Sequence, residues 1–451
     1  MKNIEEMPSK SQLVAHRSRG LINTSNTCFM NVILQSLTGC QLFLRVIKNL
    51  SDLEDLGKYP TLHSFNQFYT EYFSNPTSNI LNNNSNSTTT TSSSSTTATT
   101  TSTSNNNKSQ TPTSPIQQHH QSQTNGLSNQ PSVATQSQQQ QQPQPPINPK
   151  HFNDLVKSFN SKVSPVPQTT VSPHSMVQVS KKKLKLQLYN NSLPQTICQQ
   201  DAQEFLVFLL DLIHEEFLTL IKDIDIPKED DKSTPTSTSI VDDNWEVVGK
   251  KGKTAIITNS QQELPKTPIS QIFSGVLRSS FNRTGSKESI TVEPFYCLHL
   301  DIRPEEINSL EDALKFFMKP EIIEGYTCST KKIEISASKS WSFESLPRIL
   351  IVHFKRFAFE SDTSKKLDKL IRFPTQLSLS TASNHQTQKK YSLFSVVSHH
   401  GRGLSQGHYT CDIYQPQQAQ WIRYDDSTFT EVKEQDVLNR EAYLLLYQLV
   451  N

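Results

Sequence analysis

The second half of the chain places the strongest constraint on the fold. From Ile272 to the C-terminus, segments such as RILIVHFKRFAF and YSLFSVVSHH alternate apolar and polar residues or form short β-branched and aromatic runs. One helical segment, at 309–317, interrupts them. Before Ile272 the pattern is helical, and QQDAQEFLVFLLDLIHEEF places its apolar residues on one broad helix face. We therefore predict an α+β fold, with a helical part followed by a largely antiparallel β part.

A segment of low complexity interrupts the helical half. No Asp or Glu occurs between Ser74 and Lys150, where Ser, Thr, Asn and Gln dominate. Such a segment cannot bury enough apolar surface to offset its ordering entropy, so we predict that the insert at 74–150 is disordered. The rest of the 451 residues suffices for a large core in one domain or two fused domains.

Charge and cysteine usage exclude several classes of protein. The net charge is only +2, so neither nucleic acid nor an anionic membrane is expected as a partner. The N-terminal residues lack the continuous apolar stretch of a secretory signal. Six cysteines at irregular spacings do not suggest a disulfide framework. We expect a monomer with reduced thiols, located in the cytoplasm and also in the nucleus.

The stretch GLINTSNTCFMNVILQSL places Cys28 where a helix is predicted to begin. The free N–H groups and the positive end of the helix dipole stabilise a thiolate at such a position. Asn23, on the approach to the helix, can offer a side-chain N–H to an oxyanion. Two interpretations remain open, a nucleophile or a small buried side chain, and the second also describes Cys40.

A thiol nucleophile needs a base, and HHGRGLSQGHYTCDIY followed by WIRYDDSTF offers one. His408 follows a glycine and opens a predicted strand. Asp425 ends a strand that can pair with it, so its carboxylate can orient the imidazole. His399 and His400 are weaker candidates, because a single histidine is usually a polar surface or core residue. Only the three segments together favour catalysis.

These segments resemble the ubiquitin-specific protease family. GLINTSNTCFMNVILQSL resembles its cysteine box, and VVSHHGRGLSQGHYTCDIY with WIRYDDSTF resembles its histidine box. Further matches lie between them in the family's order: QQDAQEFLVFLLDLI, SLEDALKFF, EGYTC and LPRILIVHFKRF. More narrowly, SGVLRSSFNRTGSKESITVEPFYCLHLDI and DNWEVVGKKGKTA resemble the branch that contains ubiquitin carboxyl-terminal hydrolase 10.

The resemblance implies a papain-like cysteine protease fold with a helical thumb, a β palm and β fingers. An N-terminal tail at 1–18 would precede a catalytic domain at 19–451. Within that domain we expect the thumb at 19–220, a polar linker at 227–268, the fingers at 271–345 and the palm with the histidine box at 346–451.

The resemblance also implies a deubiquitinating activity and a role for each site residue. Cys28 would be the nucleophile, His408 the general base and then acid, and Asp425 the residue that orients it. Asn23 would stabilise the oxyanion, and Asp426 is a second candidate for the role of Asp425. The substrate would be ubiquitin joined through its C-terminal glycine to a lysine or to another ubiquitin, with a thioester to Cys28 as the intermediate.

Three residues are expected to contact ubiquitin. Asp201 and Glu204 match an acidic pair that faces the arginines of the ubiquitin tail in the family. An acidic N-cap with a Glu three residues later also stabilises a helix start, so both roles can hold. Tyr409, which follows His408, is the third expected contact.

The sequence departs from the family pattern at two places. Many relatives hold zinc in the fingers with two Cys-x-x-Cys pairs, whereas here YTCSTKK leaves Cys328 alone and the first pair is missing. One thiolate does not make a tetrahedral zinc site, so we expect no metal and no other cofactor. Ser25 replaces a glycine in the approach to Cys28, and this substitution is costly if the backbone there needs a positive φ.

Two other functions remain as alternatives to the protease. A catalytically weak or inactive ubiquitin-binding module would explain the boxes, and Ser25 is the feature in its favour. A scaffold that acts through the Ser/Thr/Asn/Gln tract would leave the paired boxes unexplained. We therefore expect a protease with ubiquitin and ubiquitinated proteins as its partners.

Overall fold

The structure is a computed structural model of the chain. It describes the following residues: 18–53, 55–74, 144–162, 200–225, 245–248, 255–258, 265–284, 287–326, 336–360, 363–403 and 406–450. By its contacts the chain divides into two units, Met1–Ser74 with Pro143–Asn451, and Asn75–Gln142. All described residues belong to the first unit. The predicted disorder at 74–150 falls mainly outside the described residues. At its end the prediction is wrong, because residues 144–150 are described and Ile147 forms a β-bridge with Leu21.

In the described residues up to Asp225 the helices are α1 (Cys28–Gly39), α2 (Gln41–Leu50), α3 (Pro60–Phe73), α4 (Asn153–Lys162, after a 3-10 turn at Lys150–Phe152) and α5 (Ala202–Asp225). Helix α5 is the helix expected from QQDAQEFLVFLLDLIHEEF. Its residues Phe205, Leu209, Ile213 and Phe217 recur every four positions and are all fully buried. This apolar face packs against α1, α3 and the next helix, α6 (Pro268–Phe273).

A sheet of eight strands lies in the C-terminal part. Its strands are β5 (Cys297–Asp301), β8 (Ile349–Lys355), β11 (Gln376–Thr381), β12 (Asn384–Gly403), β13 (Gln406–Gln415), β14 (Gln420–Asp425), β15 (Thr428–Val432) and β16 (Ala442–Val450). The order is β15-β14-β13-β12-β16-β8-β5, with β11 also paired to β12. All pairs are antiparallel except β5 with β8.

A second sheet has six strands in the order β1-β2-β4-β3-β7-β6. They are β1 (Trp245–Val248), β2 (Ala255–Thr258), β3 (Gly275–Arg283), β4 (Ser289–Phe295), β6 (Glu321–Ile323) and β7 (Ala337–Ser345). Strands β1 and β2 lie within 227–268, where we predicted a polar linker. They pair as a hairpin, and β2 adds in parallel to β4. Short runs such as WEVV and AIIT are sufficient to extend a sheet edge.

Three smaller elements complete the described structure. A two-stranded hairpin consists of β9 (Phe357–Glu360) and β10 (Thr363–Lys366). Helix α7 (Leu310–Met318) confirms the helix predicted at 309–317, and Ser309 caps it by accepting from the N–H of Asp312. Helix α8 (Glu434–Leu438) lies before β16.

Two hydrophobic cores lie on the two faces of the large sheet. Successive residues of β16 alternate between them, because side chains along a strand point to opposite faces. Leu444 and Leu446 join the core formed with the N-terminal helices. Leu445 and Tyr447 join the core formed with α7 and β11. The helices therefore pack on one face of the sheet, and α1 contacts β13, the strand that carries His408. The α+β prediction is confirmed.

Among the described residues, no single helix is long and apolar enough to cross a membrane. Only α1 and α2 taken together meet that criterion, and the two helices are bent by 91° at their junction.

Candidate active site

Cys28 is the first residue of α1, and its side chain is buried. The N–H groups of Met30 and Asn31 both donate to the carbonyl of Thr27 and close the first turn. The N–H groups at the start of a helix have no acceptor within it, so this end carries a partial positive charge. The sulfur therefore lies where the backbone stabilises negative charge.

His408 lies between Cys28 and Asp425. Its Nε2 is 2.6 Å from Oδ1 of Asp425, and the Cys28 sulfur lies within interaction range of the ring. Because Asp425 engages Nε2, Nδ1 is the ring nitrogen left for the sulfur. Interaction with the Cys28 sulfur, and after it the hydrogen bond to the Asp425 carboxylate, raise the pKa of His408 to about 9, against a lowering by burial. The imidazole therefore keeps its proton at neutral pH.

Strand pairing explains how Asp425 reaches His408. Asp425 is the last residue of β14, and β14 pairs with β13. Two adjacent strand ends thus carry the carboxylate and the imidazole. The Asp425 side chain is 55 % exposed and that of His408 is 36 % exposed. Solvent can therefore reach both partners of this hydrogen bond.

Asp426 is the next residue along the chain, and it bonds to different partners. Its backbone has φ 48°, a left-handed conformation that Asp tolerates better than most residues. Its carboxylate accepts from Nδ2 of Asn23 at 2.9 Å and from Nδ2 of Asn31 at 2.7 Å. Oδ2 lies 4.0 Å from Nε2 of His408, too far for a hydrogen bond. Asp426, the second candidate for the role of Asp425, therefore orients the amides of Asn23 and Asn31 on the cysteine side of the site.

The side-chain amide of Asn23 has a defined orientation. Its Oδ1 accepts from the N–H of Thr27 at 2.9 Å and from the Thr27 hydroxyl at 3.2 Å. Its Nδ2 faces the Asp426 carboxylate. Donors on one side and an acceptor on the other settle which atom is oxygen and which is nitrogen. Since an amide nitrogen donates twice, one N–H remains for a further acceptor after Asp426 is satisfied.

The loop before Cys28 does not need a glycine at Ser25. Positive φ occurs at Asn26, with φ 54°, and Ser25 is not among the residues with positive φ. Asn visits this region more readily than other non-glycine residues. The condition under which Ser25 would strain the backbone is therefore not met. Ser25 gives no support to the inactive binding module.

Gly20 is required by a close backbone approach. A Cβ at this position would lie 2.1 Å from the carbonyl oxygen of Ser427. The next N–H, that of Leu21, donates to the carbonyl of Asp426 at 2.7 Å. The segment before Asn23 therefore lies against the turn that carries Asp426, and any side chain at position 20 would separate them.

The expected ubiquitin contacts have different surroundings. Asp201 caps α5 by accepting from the N–H groups of Gln203 and Glu204, and the Tyr443 hydroxyl donates to its other oxygen. Burial raises the pKa of Asp201, and these hydrogen bonds oppose the rise. Tyr409 is fully buried, and its hydroxyl accepts from the N–H of Ala202 at 3.5 Å. Both placements favour support of the helix start over direct contact with a substrate.

Glu204 remains exposed, and its environment is already acidic. Partial desolvation, and after it the negative charge of Asp201, raise the pKa of Glu204 to about 7. Asp211 lies two helical turns further along α5, and desolvation followed by the charge of Glu215 raises the pKa of Asp211 to about 6. The sequence analysis missed Asp211, although the seven-residue spacing from Glu204 places both on one helix face.

Asn31 was also missed. It lies in the first turn of α1, three residues after Cys28, and its side chain is buried. Nδ2 donates to Asp426 and to the carbonyl of Leu21. A polar residue in the apolar first two turns of the helix, CFMNVIL, was the available signal, because a buried amide requires hydrogen-bond partners.

One group among the described residues has the composition of a metal site. His408, Asp425 and Asp426 offer ligand atoms within 4.8 Å of one another. These atoms belong to the hydrogen bonds given above. Cys328, which the zinc argument used, lies outside the described residues, so the absence of a zinc site stays a prediction.

Comparison with known proteins identifies the family. A family model described as ubiquitin carboxyl-terminal hydrolase matches residues 19–447. The chain belongs to the ubiquitin carboxyl-terminal hydrolase family. The match includes both boxes that the sequence analysis quoted and every residue of the site described above.

Several curated members of this family are similar to the chain. Ubiquitin carboxyl-terminal hydrolase 24 of Arabidopsis thaliana is 30 % identical over 445 residues, which cover 96 % of this chain and 64 % of that protein. Ubiquitin carboxyl-terminal hydrolase 10 of Rattus norvegicus is 35 % identical over 292 residues, or 59 % of this chain and 36 % of that protein. The chain thus spans less than two thirds of either relative, and the predicted resemblance to the hydrolase 10 branch is confirmed.

Solved structures of the family share the fold. The SAGA Ubp8/Sgf11/Sus1/Sgf73 DUB module bound to ubiquitin aldehyde aligns with a TM-score of 0.58 and 20 % identity. The alignment covers 96 % of this chain and 70 % of that chain. At this identity the likeness concerns the fold alone, and it confirms the papain-like arrangement expected for a ubiquitin-specific protease.

Proposed function

We propose that this chain is a deubiquitinating cysteine protease that hydrolyses the bond after the C-terminal glycine of ubiquitin. The observation that carries the proposal is the hydrogen-bonded series Cys28, His408 and Asp425, with the Asn23 amide oriented beside it. Family membership supports the same activity. Ubiquitin as the partner is also supported by the related module whose structure was solved with ubiquitin aldehyde.

The geometry suggests how the first half of the reaction proceeds. The Cys28 sulfur, as the thiolate paired with the His408 imidazolium, attacks the carbonyl carbon of the terminal glycine. Negative charge develops on the carbonyl oxygen, and the remaining N–H of Asn23 and the backbone N–H at the start of α1 are the available donors. His408 then gives its proton to the departing lysine amine, which leaves a thioester on Cys28.

The second half returns the enzyme to its starting state. His408, now neutral, takes a proton from water, and the resulting hydroxide attacks the thioester carbonyl. The same N–H donors hold the second oxyanion. Collapse releases ubiquitin with a free terminal carboxylate and restores the Cys28 sulfur. Asp425 keeps Nε2 engaged throughout, so that Nδ1 continues to face the reacting atoms.

Release of a fluorophore from the C-terminus of ubiquitin tests the proposal. The full chain should turn over steadily and Cys28→Ala should not, while both should bind ubiquitin with similar affinity. A ubiquitin probe with an electrophilic C-terminus should label the chain once, at Cys28. Cys40→Ala is the matched control, because Cys40 is also a buried cysteine and caps the C-terminal end of the same helix, α1.

The outcomes separate the alternatives. Turnover by Cys28→Ala would remove the nucleophile from the proposal. A folded chain that binds ubiquitin but neither hydrolyses nor reacts with the probe would instead be a ubiquitin-binding module.

A further inference from the structure

Arg19 is a buried arginine close to the candidate active site, and the catalytic proposal gives it no role. Its side chain is 6 % exposed. Nε donates to the carbonyl of Pro145 at 3.2 Å, and Nη1 donates to the carbonyls of Glu71 at 2.6 Å and Tyr72 at 3.3 Å. Glu71 and Tyr72 lie in the last turn of α3, just before the low-complexity segment, and Pro145 lies near the C-terminal end of that segment. The guanidinium thus joins the chain near both ends of it.

A second contact ties the same two flanks. Nε2 of His151 lies 3.0 Å from Oε2 of Glu71. Together with the Arg19 contacts, this hydrogen bond holds the end of α3 against residues 145–151. We call the five residues Glu71, Tyr72, Pro145, Ile147 and His151 the insertion base.

The insertion base is hydrogen-bonded to the segment that leads into Asn23. The N–H of Ile22 donates to the carbonyl of Ile147 at 2.7 Å, and the N–H of Ile147 donates to the carbonyl of Gly20 at 2.9 Å. Leu21 lies between them, fully buried, and donates its N–H to the carbonyl of Asp426. Residues 20–22 are therefore held on one side by Ile147 and on the other by the turn that orients Asn23.

We propose that Arg19 is a positioning residue for the proposed hydrolysis, which acts by fixing the insertion base and thereby the Asn23 amide. The inference rests on the proposed function of the site. A guanidinium is planar and donates in several fixed directions, so one side chain can hold carbonyls from two segments at once. An ammonium on a flexible stem cannot hold the same three acceptors in place. If residues 20–22 shift, Asn23 moves away from the oxyanion, and a displacement of this kind slows the chemical step.

A double-mutant cycle tests whether Arg19 acts through Asn23. Arg19→Lys should lower kcat about tenfold and change KM less than about twofold, because the lost interaction forms with the transition state. In an Asn23→Ala background the same substitution should cost less than about twofold, because the donor it positions is already gone. Equal losses in both backgrounds, a loss confined to KM, or no loss would each overturn the proposal.

Arg356 provides a matched control for general destabilisation. It is fully buried and also donates to three backbone carbonyls, those of Ala442, Leu367 and Lys369, but none of these belongs to residues 20–22 or to the insertion base. Any effect of Arg356→Lys on kcat should be the same in the unmodified chain and in the Asn23→Ala background. If the effect of Arg356→Lys also disappeared in the Asn23→Ala background, the loss of kcat in Arg19→Lys would be explained by general destabilisation. That result would overturn the positioning role of Arg19.

Two deletions locate the effect within the chain. Removing 80–140 leaves the insertion base intact, so kcat should stay within about twofold of the full chain. Removing 80–148 also takes Pro145 and Ile147, and kcat should then fall at least as far as in Arg19→Lys. Equal kcat for the two deletions would contradict a role for the insertion base.

Amide hydrogen exchange separates this inference from the proposed function. In Arg19→Lys the N–H groups of Leu21 and Ile22 should exchange faster, while those of β16 should not change. If the unmodified chain hydrolyses no ubiquitin conjugate, the proposed function fails, and exchange alone decides whether Arg19 fixes residues 20–22. Unchanged exchange of Leu21 and Ile22 would overturn the positioning role whatever the activity.

Discussion

The cysteine side and the histidine side of the candidate site differ in how they are held. On the cysteine side, Asn23 and Asn31 share one carboxylate, that of Asp426, whose side chain is only 16 % exposed. On the histidine side, His408 is held by Asp425, whose side chain is 55 % exposed. The first arrangement is partly shielded from solvent, with Asn31 buried and Asn23 half-buried, and the second is open to it.

This difference has a chemical consequence. A buried amide that loses its acceptor stays unpaired, whereas an exposed imidazole that loses its carboxylate can bond to water. Substitutions that disturb the oxyanion donors should therefore lower kcat more than substitution of Asp425. The two adjacent aspartates, which look equivalent in RYDDSTF, should differ in what their removal does to turnover.

Asn23→Ala should have the largest effect among the variants that keep Cys28 and His408. It removes an oriented donor, and loss of one such donor costs about a hundredfold to a thousandfold in kcat. Steady-state kinetics on a ubiquitin C-terminal fluorophore should show this loss with little change in KM. Ser25→Gly is the control, since Ser25 is exposed and bonds locally to the carbonyl of Thr24. A loss of less than about tenfold would argue that Asn23 is not an oxyanion donor.

Asp426→Ala should rank next, with a loss of about a hundredfold in kcat, because two amides lose their shared acceptor and Asn23 is no longer fixed. Asp426→Asn should be intermediate, because it keeps the side-chain volume but replaces one of the two oxygens that accept from Asn23 and Asn31 with an NH₂ group. The measurement is kcat at saturating substrate for both variants. If Asp426→Ala mainly changed the pH profile, Asp426 would instead be acting on His408.

Asp425→Ala should reduce kcat by only about tenfold at neutral pH, because water can replace the exposed carboxylate. Its clearer effect should be on the pH profile. The raised pKa of His408, about 9, keeps the imidazolium present through neutral pH, and it is lost as the pH rises through that value. Removing Asp425 takes away one of the contacts that raise the pKa, so the alkaline limb of kcat should move to lower pH.

NMR titration of His408 checks the cause of that shift. Cys28 makes the largest contribution to the raised pKa, so His408 should titrate at lower pH in Cys28→Ala than in the unmodified chain. Asp425→Ala should lower the pKa as well, but by less. An unchanged His408 titration in both variants would show that neither contact sets its protonation.

The sequence predicted the parts of the site that depend on local secondary structure. Cys28 at a helix start, and His408 and Asp425 on neighbouring strands, follow from periodicity and spacing, and the structure brings them together. The partners of Asp426 could not be predicted in this way. Its bonds to Asn23 and Asn31 join residues about four hundred positions apart, and they depend on a single left-handed turn.

Tertiary packing also determines where the residues expected to contact ubiquitin lie. Asp201 and Tyr409 both carry groups that suit a substrate, yet the fold uses them at the start of α5. The alternation of β13 alone could not say whether Tyr409 faces solvent or the helical core. That depends on α5 covering this end of the sheet, which is a long-range contact.

Glu204→Gln should have the smallest effect and the most characteristic pH dependence. Of the expected acidic pair, Asp201 already accepts hydrogen bonds at the helix start, so under the proposed function Glu204 is the carboxylate expected to pair with an arginine of the ubiquitin tail. Its pKa, raised to about 7, means that the charged form appears only as the pH rises through 7. KM should therefore fall by about two- to fivefold between pH 6 and pH 8, as expected for an exposed ion pair.

The variant should remove that dependence. In Glu204→Gln, KM should stay near its pH 6 value throughout, with kcat unchanged. Glu311→Gln is the matched control, because Glu311 is also an exposed glutamate in the first turn of a helix, but in α7. If KM fell with pH equally in Glu204→Gln and in Glu311→Gln, another group would be titrating. Asp211, which shares the helix face of Glu204 and has its pKa raised to about 6, would then be the next residue to replace.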